Sequence, residues 1–336
     1  MLRRRKFGDL SDGTSVDVIT LGGPASPGSV EAHVLTYGCI IASLSVPDAR
    51  GVPANVVLSF DRLEPYVDSS PYFGAVVGRY ANRIAHARFA IDGREHHLSA
   101  NEPPHHLHGG FRGFDKRVWE AESSGNGQGV VFRRTSADGE EGYPGAVDVQ
   151  VTYTVVDLDF HIEYQAVADA PTHVNLTQHS YFNLRTTGDV LAHCLAINAS
   201  TYLPVDEWLI PTGELAPVGN SPFDFQESTA IGLRLHAEHE QLKRVGGYDH
   251  TFSINRLDSA SSLAARVLDP SSGRTLEVRS TEPGLQFYSG QVVGHRGFCL
   301  EPQHYPDSPN RPGFPSTLLR PGERYQSKTV LSFGIG

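Results

Sequence analysis

Cysteine is scarce, with Cys39, Cys194 and Cys299 the only three in 336 residues. They are odd in number and far apart, and no CxxC or comparable spacing occurs. This argues against a disulfide framework and against a cysteine-built zinc site. Basic charge is also short: 28 Lys and Arg stand against 38 Asp and Glu, a net charge of −10. Binding nucleic acid would need a concentrated basic surface. The one basic run, RRRK at 3–6, reads as a solvated tail over residues 1–6, ahead of a domain spanning 7–335. No run of about 18 apolar residues is present to cross a bilayer. The FGDLSDGTSVDV stretch after the basic run is too polar for a secretory leader. The expectation is a reduced, cytoplasmic protein with no membrane or nucleic-acid partner.

What is abundant is period-two patterning. In VDVQVTYTVVDLDFHIEYQAV the apolar set is Val147, Val149, Val151, Tyr153 and Val155, then Leu158, Phe160, Ile162, Tyr164 and Ala166. Two half-buried strands joined by a tight turn fit this pattern and a helix does not. RFAIDGREHHL places Asp92-Gly93 between alternating residues, a strong hairpin signal. EAHVLTYG, IIASLSV, GVVFRRT, TLEVRS, GLQFYSG and KTVLSFGI are further strand-like runs. Helical segments are expected only at 61–67 and, after Ser228 as a cap, at 229–235. No linker, repeat or low-complexity tract interrupts the chain. The pattern predicts an all-β, single-domain antiparallel sandwich or barrel with few short helices.

Several turn-rich segments carry groups able to do chemistry. FCLEPQHYPDSPN at 298–310 alternates like a strand up to Glu301, and then Pro302, Pro306 and Pro309 are expected to end the ladder. A carboxylate at such a point is held still. NEPPHHLHGG packs His105, His106 and His108 into a rigid turn, in a spacing that matches no common metal motif. The turn is expected to present one imidazole to a cleft. HVNLTQHSYFNL surrounds His179 with Gln178, Ser180, Tyr181 and Phe182. In GLQFYSG, Gln286 and Tyr288 share one face and Leu285 and Phe287 the other. GGYDHTF offers Asp249, and GRYANRI offers Asn82 and Arg83.

Taken together these segments resemble the aldose 1-epimerase (galactose mutarotase) family. GRYANRI, LHGG with RGFDKRVW, NLTQHSYFNL, GYDHTF, TEPGLQFYSG and CLEPQHYPDSPN occur in the family's order, and the resemblance runs from about residue 7 to 333. It implies a mutarotase-like β-sandwich with an open cleft, which agrees with the strand pattern. It also implies roles: Glu301 as general base, His179 as general acid, and His108 as a second imidazole of the site. Asn82, Arg83, Asp249 and Gln286 would contact the sugar. The extra histidines His105 and His106, and Pro302-Gln303-His304 after the base, depart from the family pattern at the cleft rim.

The implied reaction interconverts the α- and β-anomers of a free aldohexose such as galactose or glucose, with neither cofactor nor metal. The anomeric hydroxyl loses a proton while the ring oxygen gains one. A carboxylate and an imidazole on opposite sides of the ring would supply both transfers. On this reading His179 is protonated when sugar binds, favoured by the nearby carboxylate. Tyr181 and Tyr288 are aromatic candidates for the cleft wall, and Phe287 is assigned to the core. Three rivals stand beside it: a glycoside hydrolase using Glu301 with Asp249, a sugar-phosphate epimerase, and a non-catalytic sugar-binding protein. The chain is expected to be a monomer or a homodimer.

Overall fold

The computed structural model describes residues 3–24, 28–125, 128–256 and 261–336. Strands dominate, and the helices are the short Glu64–Asp68 and Glu240–Val245 plus single 3₁₀ turns. Three larger sheets carry the architecture, and every strand pair within them is antiparallel. An N-terminal sheet of five strands runs in chain order from Arg3–Asp9 to Pro53–Asn55. A nine-stranded sheet is centred on Val147–Val156, Asp159–Ala168 and Tyr325–Ile335. A six-stranded sheet, here the cleft sheet, contains Tyr181–Phe182, Phe298–Gln303, Gly284–Tyr288 and Asp249–Ile254 as successive neighbours.

The alternating run at 147–168 forms the predicted hairpin. Val155 pairs with Phe160 and Tyr153 with Ile162, so odd positions on one strand share a face with even positions on the next. All four are buried in one apolar cluster. Leu285 and Phe287 join that cluster from the cleft sheet, and Val34 and Leu44 join it from the N-terminal sheet. The nine-stranded sheet thus packs one face against a shared core, the arrangement of a β-sandwich. The Asp92-Gly93 turn also forms, with both residues at positive φ (51° and 80°) between Arg88–Ile91 and Arg94–His97.

Four expectations shift. The basic run is not a free tail: Arg3–Asp9 is an edge strand paired with Ser15–Leu21, while its basic side chains stay exposed. Arg3 meets Glu31 at 3.0 Å and Arg4 meets Asp17 at 2.6 Å, the charged dressing typical of a sheet edge. Met1 and Leu2 of the expected tail lie outside the described residues. The first helix is Glu64–Asp68, set later than 61–67 because Pro65 suits a first helical turn. The segment at 229–235 is a two-residue strand followed by a 3₁₀ turn, and Ser228 makes no cap.

The fourth shift concerns Pro302. The strand does not stop at Glu301 but continues to Gln303, with Pro302 opposite Leu285. The Pro302 carbonyl faces away from that neighbour and accepts from the Thr177 hydroxyl at 2.9 Å. A residue's N–H and C=O point to the same side of a strand, so the missing proline N–H removes nothing from the ladder with Gly284–Tyr288. Among the described residues no helix is long and apolar enough to cross a membrane.

Candidate active site

The outward face of the cleft sheet supplies the floor of the site. Glu301 lies directly across from Gln286, and Gln286 across from Thr251. Alternation then sends these side chains to the face opposite Leu285, Phe287 and Leu300, which fill the core. The Thr251 hydroxyl donates to Gln286 Oε1, which turns the amide so that its Nε2 donates to Asp249 Oδ1 at 2.6 Å. Three neighbouring strands therefore hold an ordered row of carboxylate, amide and carboxylate. Glu301 is only 2% exposed, and its Oε2 has no hydrogen-bond partner.

His179 sits between the short strands Thr177–Gln178 and Tyr181–Phe182. Its backbone is fixed at both ends, with its N–H donating to Ala75 O at 2.9 Å and its C=O accepting from Gly74 N–H at 3.0 Å. Tyr72 and Tyr181 lie nearly parallel to the imidazole, at 14° and 16°, and limit how it can turn. Nε2 is 3.8 Å from Glu301 Oε2, and Nδ1 is 3.5 Å from the Cys299 sulfur. Cys299 and Glu301 are two residues apart on one strand, hence on one face.

GRYANRI and LHGG close the other side. The His108 N–H donates to Asn82 O at 3.1 Å, and the Asn82 N–H donates to His108 Nδ1 at 3.1 Å. Both residues are held at positive φ, 65° and 51°, an uncommon conformation for either and one often found at functional sites. The clasp needs Gly109: a Cβ there would sit 1.9 Å from the Gly78 carbonyl oxygen. The clasp brings the His108 ring to 5.4 Å from His179. Arg83 grips Glu102 with two hydrogen bonds of 2.7 and 2.9 Å. Asn82, Arg83, Asp249 and Gln286 line one pocket together with Pro306.

Burial governs the charges. It pushes the Glu301 carboxyl well above its ordinary range, and the nearby Asp249 adds to the shift. Asp249 is raised by burial too, opposed by Arg83 and by the Gln286 hydrogen bond. Burial pulls His179 down to about 4, and pulls His108 well down, with His179 as a secondary cause. These directions favour a neutral His179 beside a protonated Glu301 in the free site, and the imidazolium expected when sugar binds would arise by moving the carboxyl proton to Nε2.

The aldose 1-epimerase family model matches residues 18–332. The chain belongs to the aldose 1-epimerase family. It is 44% identical to the galactose mutarotase of Homo sapiens, over 99% of this chain and 98% of that protein. It is 37% identical to the aldose 1-epimerase of Escherichia coli (strain K12), over 96% of each. The crystal structure of galactose 1-epimerase from Lactobacillus acidophilus NCFM superposes with a TM-score of 0.87 at 28% identity, covering all of both chains.

Of the seven residues singled out in the sequence, Asn82, Arg83, Asp249 and Gln286 line the pocket, and direct contacts continue from them to Glu301, His179 and His108. The two extra histidines do not join them. His105 Nδ1 accepts from the His86 N–H at 3.0 Å, and His106 is buried between Ser99 O and the Tyr143 hydroxyl. Phe287 is core, Tyr181 lies against His179, and the Tyr288 hydroxyl is taken by the Val292 N–H. Sequence reasoning missed Tyr72, Thr251 and Cys299 as parts of the site. Cys299 carried a signal in its alternation with Glu301, and Thr251 in its alternation with Asp249. Among the described residues His179, Cys299 and Glu301 form a group able to hold a metal ion, with ligand atoms within 4.8 Å of one another. The ring offers Nδ1 to sulfur and Nε2 to carboxylate.

Proposed function

We propose that the protein equilibrates the α- and β-anomers of a free aldohexose, with Glu301 as base and His179 as acid. The observation that carries the reading is the 3.8 Å separation of Glu301 Oε2 and His179 Nε2 in a buried cleft. The two oxygens that exchange protons, the anomeric hydroxyl and the ring oxygen, share a single carbon. Groups lying side by side reach both, so the partners need not stand on opposite sides of the ring. Glu301 takes the proton of the anomeric hydroxyl as His179 delivers its Nε2 proton to the ring oxygen. The bond between the anomeric carbon and the ring oxygen breaks and the aldehyde forms. Rotation about the adjoining carbon–carbon bond exposes the other face, and closure runs the transfers backwards.

The pair carries one exchangeable proton before and after ring opening, so no other proton store is consumed. Positioned proton transfer of this kind contributes about 10²–10⁴ in rate per group, and no covalent intermediate is needed. Asn82, Arg83, His108, Asp249 and Gln286 bind the sugar hydroxyls. The ordered Thr251–Gln286–Asp249 chain gives that set fixed donors and acceptors. A cytoplasmic setting fits the free thiols of Cys39, Cys194 and Cys299.

Polarimetry on freshly dissolved α-galactose and α-glucose tests the reading. Wild-type protein should speed the approach to the equilibrium rotation, and Glu301→Gln and His179→Ala should each slow turnover by about 10² or more. A wild-type rate equal to that of buffer, or full activity in both variants, removes the assignment.

A further inference from the structure

Cys299 is the one buried, potentially reactive group in the cleft to which the proton-transfer scheme gives no task. It is fully buried, and its sulfur lies 3.5 Å from His179 Nδ1, within range of a sulfur hydrogen bond. We propose that Cys299 is a positioning residue whose sulfur accepts the Nδ1–H of His179, reserving Nε2 as the only nitrogen that trades a proton. The proposal rests on the Glu301–His179 reading and adds to it the identity of the exchanging nitrogen.

Groups facing the imidazole are Cys299 and Glu301 from the cleft sheet, Tyr181 beside them, and His108 and Tyr72 from the opposite wall. Of the hydrogen-bonding groups in this set, the sulfur is the one placed at Nδ1 and the Glu301 carboxyl the one at Nε2. The otherwise unpartnered Oε2 lies on the Nε2 side. In the resting site the proton on Glu301 then faces a bare Nε2, and Nδ1 keeps its own proton on sulfur. After transfer Nε2 carries the proton that goes to the ring oxygen, and the Nδ1–H bond is unchanged. The opposite tautomer would leave the sugar no basic nitrogen during ring closure.

The choice of sulfur also matters. A carboxylate at Nδ1 would hold the imidazolium tightly and make it a poorer acid. Sulfur is a weak acceptor, so it orients the ring without stabilising the charged form much. Burial and the neighbouring Glu301 both raise the Cys299 thiol, so it stays protonated and does not become an anionic competitor. Tyr72 and Tyr181 restrict rotation of the ring plane, which keeps Nδ1 on the side of the sulfur.

The test is long-range proton–nitrogen NMR on ¹⁵N-histidine-labelled full-length protein, with the His179 signals identified by their loss in His179→Ala. Neutral His179 should be the Nδ1–H tautomer, the minor form of free histidine in water. Cys299→Ala should move it toward the Nε2–H form and lower kcat about fivefold, the effect of one weak hydrogen bond, with KM unchanged. Cys299→Ser should restore both tautomer and kcat, because a hydroxyl also accepts. An Nε2–H tautomer in the wild type, or a Cys299→Ala protein with unaltered tautomer and kcat, overturns the proposal. If Cys299→Ala does not fold, the wild-type spectrum and Cys299→Ser decide. The two readings fail separately: active His179→Ala sinks the acid–base pair, whereas inactive His179→Ala beside fully active Cys299→Ala sinks only the role of the thiol.

Discussion

Gln286 and Glu301 are direct cross-strand partners, so an amide that grips Asp249 stands beside the buried carboxylate on one face of the cleft sheet. The Gln286 side chain is oriented from one end by the Thr251 hydroxyl and spends its Nε2 on Asp249. On the proposed sugar-binding role, losing Asp249 removes an acceptor for a sugar hydroxyl and also frees the amide to turn. Hydrogen bonds to charged groups are worth about 1.5–3 kcal/mol. Asp249→Ala should raise KM for the preferred hexose by about tenfold or more, with a smaller change in kcat. Initial-rate polarimetry over a range of sugar concentrations checks this, and an unchanged KM removes Asp249 from the binding set.

Activity against pH follows from the shared proton. The productive pair holds one proton, so turnover falls when a second is added and when the first is lost. Adding the second requires His179 to ionise while Glu301 is already protonated, and burial holds that imidazole down to about 4. Losing the first requires the Glu301 carboxyl to ionise, which burial and Asp249 push well above the ordinary range. The apparent values belong to the pair and not to either residue. The expected kcat profile has no limb near the ordinary imidazole value of 6.5, and declines at higher pH as the carboxyl loses its proton. A rate that halves across pH 6.5 while the fold persists would show that His179 titrates as an ordinary imidazole.

The same burial has a stability consequence of definite sign. Glu301 in the folded chain binds its proton more tightly than in the unfolded chain, where its value is near the usual 4.5. Between these values the folded state holds more protons, so this group's contribution to stability falls as pH rises. Glu301→Gln is neutral at every pH and escapes that loss. At pH 7 the variant should be more stable than wild type, with the advantage vanishing toward pH 4. Thermal or urea melts at both pH values measure it. Equal melting curves at pH 7 would show that the carboxyl is not penalised by burial.

The hairpins were readable because burial on one face of a strand writes itself into alternate residues, as at Val147–Val156 and Asp159–Ala168. Where side chains do not alternate in polarity, a strand leaves no such mark in the sequence. Arg3–Asp9 reads as a charged tail because an edge strand is held by backbone pairing and its side chains face water. Pro302 reads as a strand end because a one-dimensional pattern does not say which side its missing N–H faces. Glu240–Val245 was missed because its cap is unusual: His239 Nδ1 accepts the Gln241 N–H at 3.3 Å. The site was legible as a set of motifs, with Glu301 and His179 named in advance, but not its protonation. That depends on burial, and burial is settled by contacts such as Tyr72 on His179 that no spacing announces.

GRYANRI shows how one motif mixes two duties. Arg83 lines the pocket, whereas Arg79 is buried and serves the scaffold behind it. The Arg79 guanidinium donates to the carbonyl oxygens of Ser136, Ala137, Pro144 and Gly145 and to the Ser136 hydroxyl at 2.7 Å. Its charge meets only neutral acceptors, so the arrangement depends on five donors in a planar fork. Removing it would strand several buried carbonyls at once. Arg79→Met should destabilise the fold by about 3 kcal/mol or more. Arg79→Lys should recover only part of that, since an ammonium cannot span the same acceptors. Urea denaturation of both variants gives the answer. A methionine variant within about 0.5 kcal/mol of wild type would mean that solvent satisfies those carbonyls and that Arg79 does not brace the loop holding Asn82 and Arg83.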